Sequence, residues 1–340
     1  MRYLLCLLLA LPAFGQQQPA YTLSPSSGYS GGGTQVTITG SFQWGVFPYR
    51  VFFGSAEAQV LSGSNQQLVV RTPPHLPART AVTIREAESV RNTGLFFTFE
   101  GESNAFERIL LPVFVTVPGA FGSVFRTELT ASLTGTFPVE IYGLQPPCRI
   151  AFCADLEFTE HPLELTAARP DLYAFDIETN GNPGRFVYLP RNTAKNVGMN
   201  LRAYDTSRAA ENFGTEVPVV RMEEYSNDVL GRVTLTGIPT DARFRNTLRI
   251  YGVEADELVV RISSDTGFSR QQVVRLRAGA DIFDPAYAEI SDFPAGVGTL
   301  TVDVQVTHVI LSPPAPRTVW AFVSVTNNQM QHITTITPQP

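Results

Sequence analysis

Residues 26–40, SSGYSGGGTQVTITG, decide between two very different kinds of protein. The run from Gly28 to Gly32 fits the pattern G-x-S-x-G, which can place a nucleophilic serine between a strand and a helix. Here the residues before Ser30 are typical of a turn, and TQVTITG after it alternates polar and apolar side chains like a strand. We therefore interpret Ser30 as a turn residue and predict that Val36 and Ile38 face a core.

Strand patterns of the same kind fill the rest of the chain. Short alternating runs include YRVFFG, QQLVVRT, TAVTIRE, NTLRIYGV and DELVVRIS. The 26 glycines and 25 prolines supply turn residues between the runs. Helical periodicity is scarce, so we predict an all-β protein built from tandem β-sandwiches.

The chain is too long for one small core, since its 340 residues exceed the usual size of a single domain. Spacing predicts three modules, at residues 21–100, 104–225 and 226–340. The last two share a short repeat. Phe125-Arg126 is followed by Leu129, and Phe244-Arg245 is followed by Leu248. A repeat of this length predicts tandem sandwich-sized modules.

The N-terminus has the pattern of a signal peptide. Arg2 precedes an apolar run at residues 4–11, and small residues around Ala13 and Gly15 form a cleavage site. We predict a signal peptide at residues 1–15, a mature chain that starts near Gln16, and export to the periplasm, the cell surface or the medium. No later run is long enough to span a bilayer, so the mature chain is predicted to have no membrane span.

The cysteines fit an exported protein. Cys6 lies inside the apolar run, whereas a lipid-anchored cysteine is expected after it. Cys148 and Cys153 are close in sequence and predict one local disulfide. The alternative is a metal pair, but two thiols with only His161 nearby do not make four ligands.

The charge balance argues against a nucleic-acid partner. The chain carries 25 Lys and Arg against 31 Asp and Glu, a net charge of −6. Proteins that bind a phosphate backbone need a clustered basic face.

The first module carries an ordered series of positions that matches a known family. The series consists of Pro25, Gly28, Gly32, Gly33, Thr34, Val36, Ile38 and Gly40, then Val51, Phe53, Gly54 and Ala58, then Thr72, Pro73, Pro74 and residues 81–84. Residues 21–100 resemble an IPT/TIG domain, an immunoglobulin-like β-sandwich. The resemblance implies a binding or spacer module of an extracellular protein, and such domains also adjoin the catalytic domains of starch-processing enzymes. Residues from about 103 onward resemble more loosely the β-rich repeats of secreted proteins from soil bacteria such as acidobacteria.

Histidines give no sign of catalysis or metal binding. His75, His161, His308 and His332 are not spaced like metal ligands, and none accompanies a recognisable nucleophile. We interpret them as surface or strand histidines and predict no catalytic residue, no metal and no cofactor. A Ser-His-Asp set assembled by the fold is left open, because triads are defined by geometry.

Two acidic segments resemble calcium loops only in part. Residues 176–184, DIETNGNPG, place acidic and amide side chains at alternate positions, but Val187 stands where an EF-hand needs glutamate. A hairpin with Asn180-Gly181 in its turn is favoured. Asp281, Asp284 and Glu289 form a second group. We interpret these three as solvated loop acids rather than calcium ligands.

Aromatic side chains offer the sharpest binding hypothesis. Trp44, Phe47 and Tyr49 lie in SFQWGVFPYR, between the first two strands predicted after the glycine turn. Loops at sandwich ends commonly carry recognition, and aromatic rings can stack on sugars or peptides. The alternative is that these rings pack beneath their own loop. Trp320 alternates with Phe322 in a strand pattern and is predicted to lie in a core.

Together these patterns predict an exported, non-catalytic binding or spacer protein. Its expected partner is an extracellular polysaccharide or a cell-surface protein. The alternative is a secreted polysaccharide hydrolase whose active site lies in residues 104–340, with the first module as its accessory.

Overall fold

The structure is a computed structural model, and strands dominate it. It describes residues 21–46, 48–54, 56–87, 89–101, 104–114, 116–118, 122–144, 162–175, 183–208, 214–222, 232–253, 256–306 and 319–338. The chain separates into two compact units, Met1–Glu102 and Ser103–Pro340.

The first unit is one continuous set of eight strands folded into a sandwich. The strands are β1 (Thr22–Ser24), β2 (Ser27–Tyr29), β3 (Gln35–Thr39), β4 (Tyr49–Phe53), β5 (Ala56–Gly63), β6 (Gln67–Arg71), β7 (Ala78–Glu86) and β8 (Ser89–Glu100). They are ordered β1-β3-β6-β5-β4-β7-β8-β2. Strand β5 joins the two layers, because its first residues pair with β4 and its last with β6 across a bulge after Val60. This shared strand lets the sheet fold over a single core.

The core of the first unit confirms the predicted alternation. Val36 and Ile38 are fully buried, whereas Thr37 and Thr39 on the same strand are not. Phe53, Phe97 and Phe99 pack edge to face in the same core.

Ser30 is buried in a turn and is bonded to the backbone. Its hydroxyl donates to the carbonyl of Gly101, and its own amide donates to Glu100 at 2.9 Å. The prediction that a turn precedes Ser30 was wrong, because Ser27–Tyr29 forms β2 and pairs in parallel with β8. The next regular element is strand β3, so the helix of a nucleophile elbow does not follow.

The second unit carries the remaining strands in two groups. The first group is β9 (Phe106–Leu111), β10 (Thr116–Pro118), β11 (Val124–Leu133), β12 (Val139–Ile141), β13 (Leu163–Leu165), β14 (Asp171–Phe175), β15 (Arg185–Pro190), β16 (Val197–Asp205), β17 (Thr215–Val217) and β18 (Val220–Arg221), with a helix α1 (Arg191–Ala194) and a 3-10 turn (Thr206–Arg208). The second group is β19 (Arg232–Pro239), β20 (Phe244–Gly252), β21 (Glu257–Ser264), β22 (Ser269–Arg275), β23 (Ala286–Ile290), β24 (Thr299–Val306), β25 (Val319–Asn327) and β26 (Ile333–Ile336). None of the helices among the described residues has the length and apolar character that crossing a bilayer requires.

The two groups repeat one strand order, as the short sequence repeat suggests. In the first group β14-β11-β16-β17 is matched by β23-β20-β25-β26 in the second. Facing these, β9-β15 continues to β12-β13 through a bridge between Tyr142 and Tyr188, and this layer matches β19-β24-β21-β22. Leu129 and Leu248 are fully buried in the corresponding cores. The boundary placed at residue 226 stays a prediction, because both groups belong to one compact unit.

Strand β25 is buried on both of its faces, and its neighbour β20 contacts the first group. Its odd-numbered residues from Val319 to Val325 lie in the core of the second group. Trp320, on the other face, is 0% exposed. Beside it, Tyr251 donates a hydrogen bond to the carbonyl of Pro112 in the first group. Trp320 is therefore buried as predicted, but on the face of β25 opposite the core cluster of its own sandwich.

Candidate functional site

One end of the first unit brings together the loop that carries Trp44 and two hairpin turns. We call it the Trp44 end and define it as residues 40–46, 61–66, 86–87 and 89–91. The loop is tied to the β5–β6 turn by backbone, because the amide of Phe42 donates to the carbonyl of Asn65 at 3.0 Å. The amide of Trp44 donates to the side-chain oxygen of Asn65 at 3.1 Å. These bonds fix the position of the Trp44 backbone.

The indole of Trp44 packs on Tyr49 and over Gly63 and stays partly exposed to solvent. Its ring stacks on Tyr49, with centroids 6.2 Å apart and planes 7° apart. On the β5 side it covers Gly63, where a Cβ atom would lie 2.2 Å from the ring. The side chain remains 40% exposed. Glycine at position 63 therefore makes the space in which the indole lies.

Tyr49 supports this arrangement from below. It is only 7% exposed, and Phe42 packs edge-on against it at 5.6 Å. Its hydroxyl accepts from the amide of Gln43 at 2.6 Å and donates to Glu86 at 2.8 Å. Burial raises the pKa of the Tyr49 hydroxyl above its usual value, and Glu86 adds to that rise. Tyr49 therefore holds Trp44 in place and presents little surface to a ligand.

The Tyr49 hydroxyl, Glu86 and Arg91 form a layer of polar groups under the loop, which we call the polar layer. Glu86 is buried and pairs with Arg91. The Arg91 guanidinium also donates to the hydroxyl of Tyr21 at 3.2 Å and to the carbonyl of Ser41 at 3.4 Å. The sequence gives no local signal for Glu86, Arg91 or Gly63, because their roles depend on the register of strands that are distant in the chain.

The Trp44 end also exposes apolar side chains besides the indole. Val46 and Val90 are largely exposed, and Leu61 at the β5 bulge is partly exposed. Phe47, the third predicted binding residue, lies outside the described residues. Of the predicted set, the structure thus places Trp44 at the surface and Tyr49 beneath it.

The other predicted candidates are not brought together into a site. His75, predicted to be a surface or strand histidine, is buried in a loop, where its ring stacks on Phe99 at 4.6 Å. His332 is exposed near the C-terminus. Among the described residues, no group of three or more His, Cys, Asp or Glu side chains could hold a metal ion. The predicted disulfide of Cys148 and Cys153 lies outside the described residues, as do His161, His308 and the segment 176–182.

The second acidic group has separate structural roles. Asp281 accepts from the amides of Phe283 and Asp284 at 2.8 and 3.2 Å. Glu289 pairs with Arg249 at 3.5 Å. The interpretation as solvated loop acids was wrong for Asp284, which is buried and faces Arg185 at 3.4 Å.

Comparison with known proteins identifies the first unit. Residues 21–99 match the family model of the IPT/TIG domain. This segment is an IPT/TIG domain. The predicted resemblance is thereby confirmed for the segment that carries the Trp44 end. No curated protein matches the chain.

Solved structures with some likeness to the chain include two bacterial proteins. The adhesin InvE of Yersinia pseudotuberculosis is 12% identical, with a TM-score of 0.19, and the alignment covers 57% of this chain and 58% of the adhesin. An auxiliary nutrient binding protein from Bacteroides thetaiotaomicron is 8% identical, with a TM-score of 0.20 and coverage of 94% and 98%. Likeness at these scores supports no inference about function.

Proposed function

We propose that the chain is an exported, non-catalytic binding protein whose IPT/TIG domain contacts an extracellular polysaccharide through the Trp44 end. The observation that carries the proposal is the indole of Trp44, packed on Tyr49 and over Gly63 and still 40% exposed. A fixed aromatic face loses little side-chain freedom on binding, and it stacks well on the apolar face of a sugar ring. Export follows from the predicted signal peptide.

The polar layer supports a binding role better than a catalytic one. Glu86, Arg91 and the Tyr49 hydroxyl are bonded to one another beneath the loop. These groups position the indole through Tyr49.

Retention on insoluble polysaccharides would test the proposal. The chain from Gln16 onward would be mixed with a panel of insoluble neutral polysaccharides, and bound protein and released sugar would be measured. We expect retention on at least one polymer, a loss of about tenfold in the Trp44→Ala variant, and no released sugar. Trp44→Phe keeps a ring on Tyr49 and should lose less.

Phe137→Ala is the matched control, because Phe137 is an exposed aromatic residue of the second unit. Equal losses in the Phe137 and Trp44 variants would contradict a role for the Trp44 end. Sugar release by the parent chain would instead favour the hydrolase alternative. Thermal unfolding of each variant separates a lost contact from a lost fold.

A further inference from the structure

A second surface of the first unit combines arginine and phenylalanine. Strands β4, β7 and β8 are neighbours, and their inward residues, such as Val51, Ile84 and Phe97, are fully buried. Side chains alternate along a strand, so the residues between them face outward. These outward residues include Arg50 and Phe52 on β4, Arg79 and Arg85 on β7, and Phe96 on β8, and we call them the arginine face.

The guanidinium groups of this face rest on aromatic rings. Arg79 lies 3.8 Å from the ring centre of Phe96. Arg85 and Arg50 lie 4.6 and 5.1 Å from the ring centre of Phe52. Cation–π contacts restrict these long side chains and so lower the entropy lost when they bind an anion.

The face already holds one carboxylate. The Arg50 guanidinium donates two hydrogen bonds, of 2.7 and 2.5 Å, to the carboxylate of Glu57. This is the two-bond geometry that guanidinium and carboxylate groups favour. That pair is half-exposed, which shows that the face can hold a carboxylate in contact with water. A ligand carboxylate at a neighbouring arginine would repeat this geometry.

Two arginines of the face have positive charge to offer a ligand. Arg79 and Arg85 are exposed, and neither pairs with a carboxylate within the part of the chain that the structure describes. Arg85 stands directly opposite Arg50 in the β4–β7 register, where like charges repel. Glu57 relieves part of this repulsion, and Glu100 faces the same side at the far end of β8. An added anion near Arg85 would relieve the rest.

The spacing of these arginines points to a polymer. Arg79 and Arg85 are six positions apart on one face of β7, which at the rise of a strand is about 20 Å. Phe96, 37% exposed, lies at the Arg79 end of this line. A small anion could occupy only one of the two arginines, whereas an extended chain could reach both.

We propose that the arginine face binds an acidic polysaccharide, with uronate carboxylates on Arg79 and Arg85 and a sugar ring against Phe96. The net charge of −6 and the presence of only three arginines on the face favour a sparsely charged polysaccharide over a nucleic acid. This surface is distinct from the Trp44 end, so the inference goes beyond the proposed function and does not depend on it.

Binding to polygalacturonate would test the assignment. The chain from Gln16 onward would be titrated against this uronate polymer and against neutral dextran, at low and at physiological salt. We expect binding to polygalacturonate that weakens with salt, and a loss of about tenfold or more in an Arg79→Gln/Arg85→Gln variant. The same double variant should be retained on insoluble neutral polysaccharides as well as the parent chain is, which separates this surface from the proposed function.

Arg243→Gln/Arg275→Gln is the matched control, because it removes the same charge from exposed arginines of the second unit. An equal loss in this control would overturn the proposal, because net charge alone would then explain binding. Tighter binding to a single-stranded oligonucleotide than to polygalacturonate of equal charge would also overturn the proposal. Arg79→Lys/Arg85→Lys keeps the charge but not the two-bond geometry, and full binding by that variant would contradict the proposal as well. Circular dichroism would confirm that each variant is folded.

Discussion

Two ion pairs of the same chemistry serve different purposes in the two units. In the first unit, Glu86 pairs with Arg91 across a hairpin turn, and the arginine is 34% exposed. In the second, Arg185 faces Asp284 from 99 positions away, and both side chains are 2% exposed. The first pair supports a surface loop, and the second fastens the loop before β23 against β15.

The difference between the two ion pairs comes from the burial of Arg185 and Asp284. Burial lowers the pKa of Arg185, although Asp281 and Asp284 oppose that change. The Arg185 guanidinium also donates to the carbonyl of Gly143 at 2.6 Å and lies 5.4 Å from the ring of Phe283. A buried pair with such partners fixes one arrangement, because removing either charge takes an oppositely charged neighbour away from a side chain that is only 2% exposed.

The largest effect is expected when this buried pair is broken. Arg185→Met should destabilise the second unit by about 3–5 kcal/mol, because Asp284 would lose its counter-charge. Urea denaturation followed by Trp320 fluorescence measures the change. Arg275→Met, at an exposed pair of the same unit, should change stability by no more than about 0.5 kcal/mol. The Arg185→Met/Asp284→Leu variant should recover much of the loss, and the comparison fails if it does not.

Alkaline pH should also lower the stability of the second unit more than that of the first. Burial raises the pKa of Tyr251 and Tyr287 in the second unit well above the usual value of 10.0. These residues ionise near pH 10 when unfolded but keep their protons when folded. Their contribution to the free energy of unfolding is therefore complete below pH 10. It is lost as pH rises above 10, by about 1.4 kcal/mol per pH unit for each tyrosine.

Urea denaturation between pH 9 and 11.5 checks this slope. Tyr287→Phe is the informative variant, because it removes one of the two groups and should roughly halve the slope for the second unit. An unchanged slope in that variant would show that Tyr287 does not control the alkaline response. The first unit, where burial raises the pKa of Tyr49, should lose less stability over this range.

The smallest expected effect concerns the support of Trp44. Gly63→Ala places a methyl group where the indole now lies, and the ring must swing outward. Because the ring can move into water, we expect a loss of about 1 kcal/mol, at the low end for overpacking. Acrylamide should quench Trp44 more strongly in this variant than in Ser62→Ala. The only other tryptophan, Trp320, is fully buried and gives a constant background.

Local patterns in the sequence predicted the strands well. Val36 and Ile38 face the core as their alternation indicates, because the period of a strand is set by its own backbone. The IPT/TIG assignment was also confirmed, since its glycines and prolines mark turns that depend on nearby residues.

Features that depend on contacts between distant strands were not predictable. The burial of Asp284, in the loop before β23, needs Arg185 on β15, which is 99 positions away in the chain. Trp44 can pack as it does only because residue 63 is glycine. Gly63 is a neighbour of Trp44 because β5 passes from one layer to the other at its bulge. His75 lies in a loop that reads as exposed, yet it is covered by Phe99 from β8. Residue type suggested Trp44 as a candidate, and only the fold showed which of its neighbours hold it.

The two-sided burial of β25 and the contacts of Tyr251 on the neighbouring β20 decide how the protein can be divided. A recombinant fragment that begins at residue 226 would keep Trp320 and Tyr251 but lose Pro112 and Gly184, which contact Tyr251. The bared aromatic surface would favour self-association. A cut after Glu102 follows the division between the compact units. The IPT/TIG domain is therefore the portable part of this protein, and the remaining sandwiches should be produced and studied as a pair.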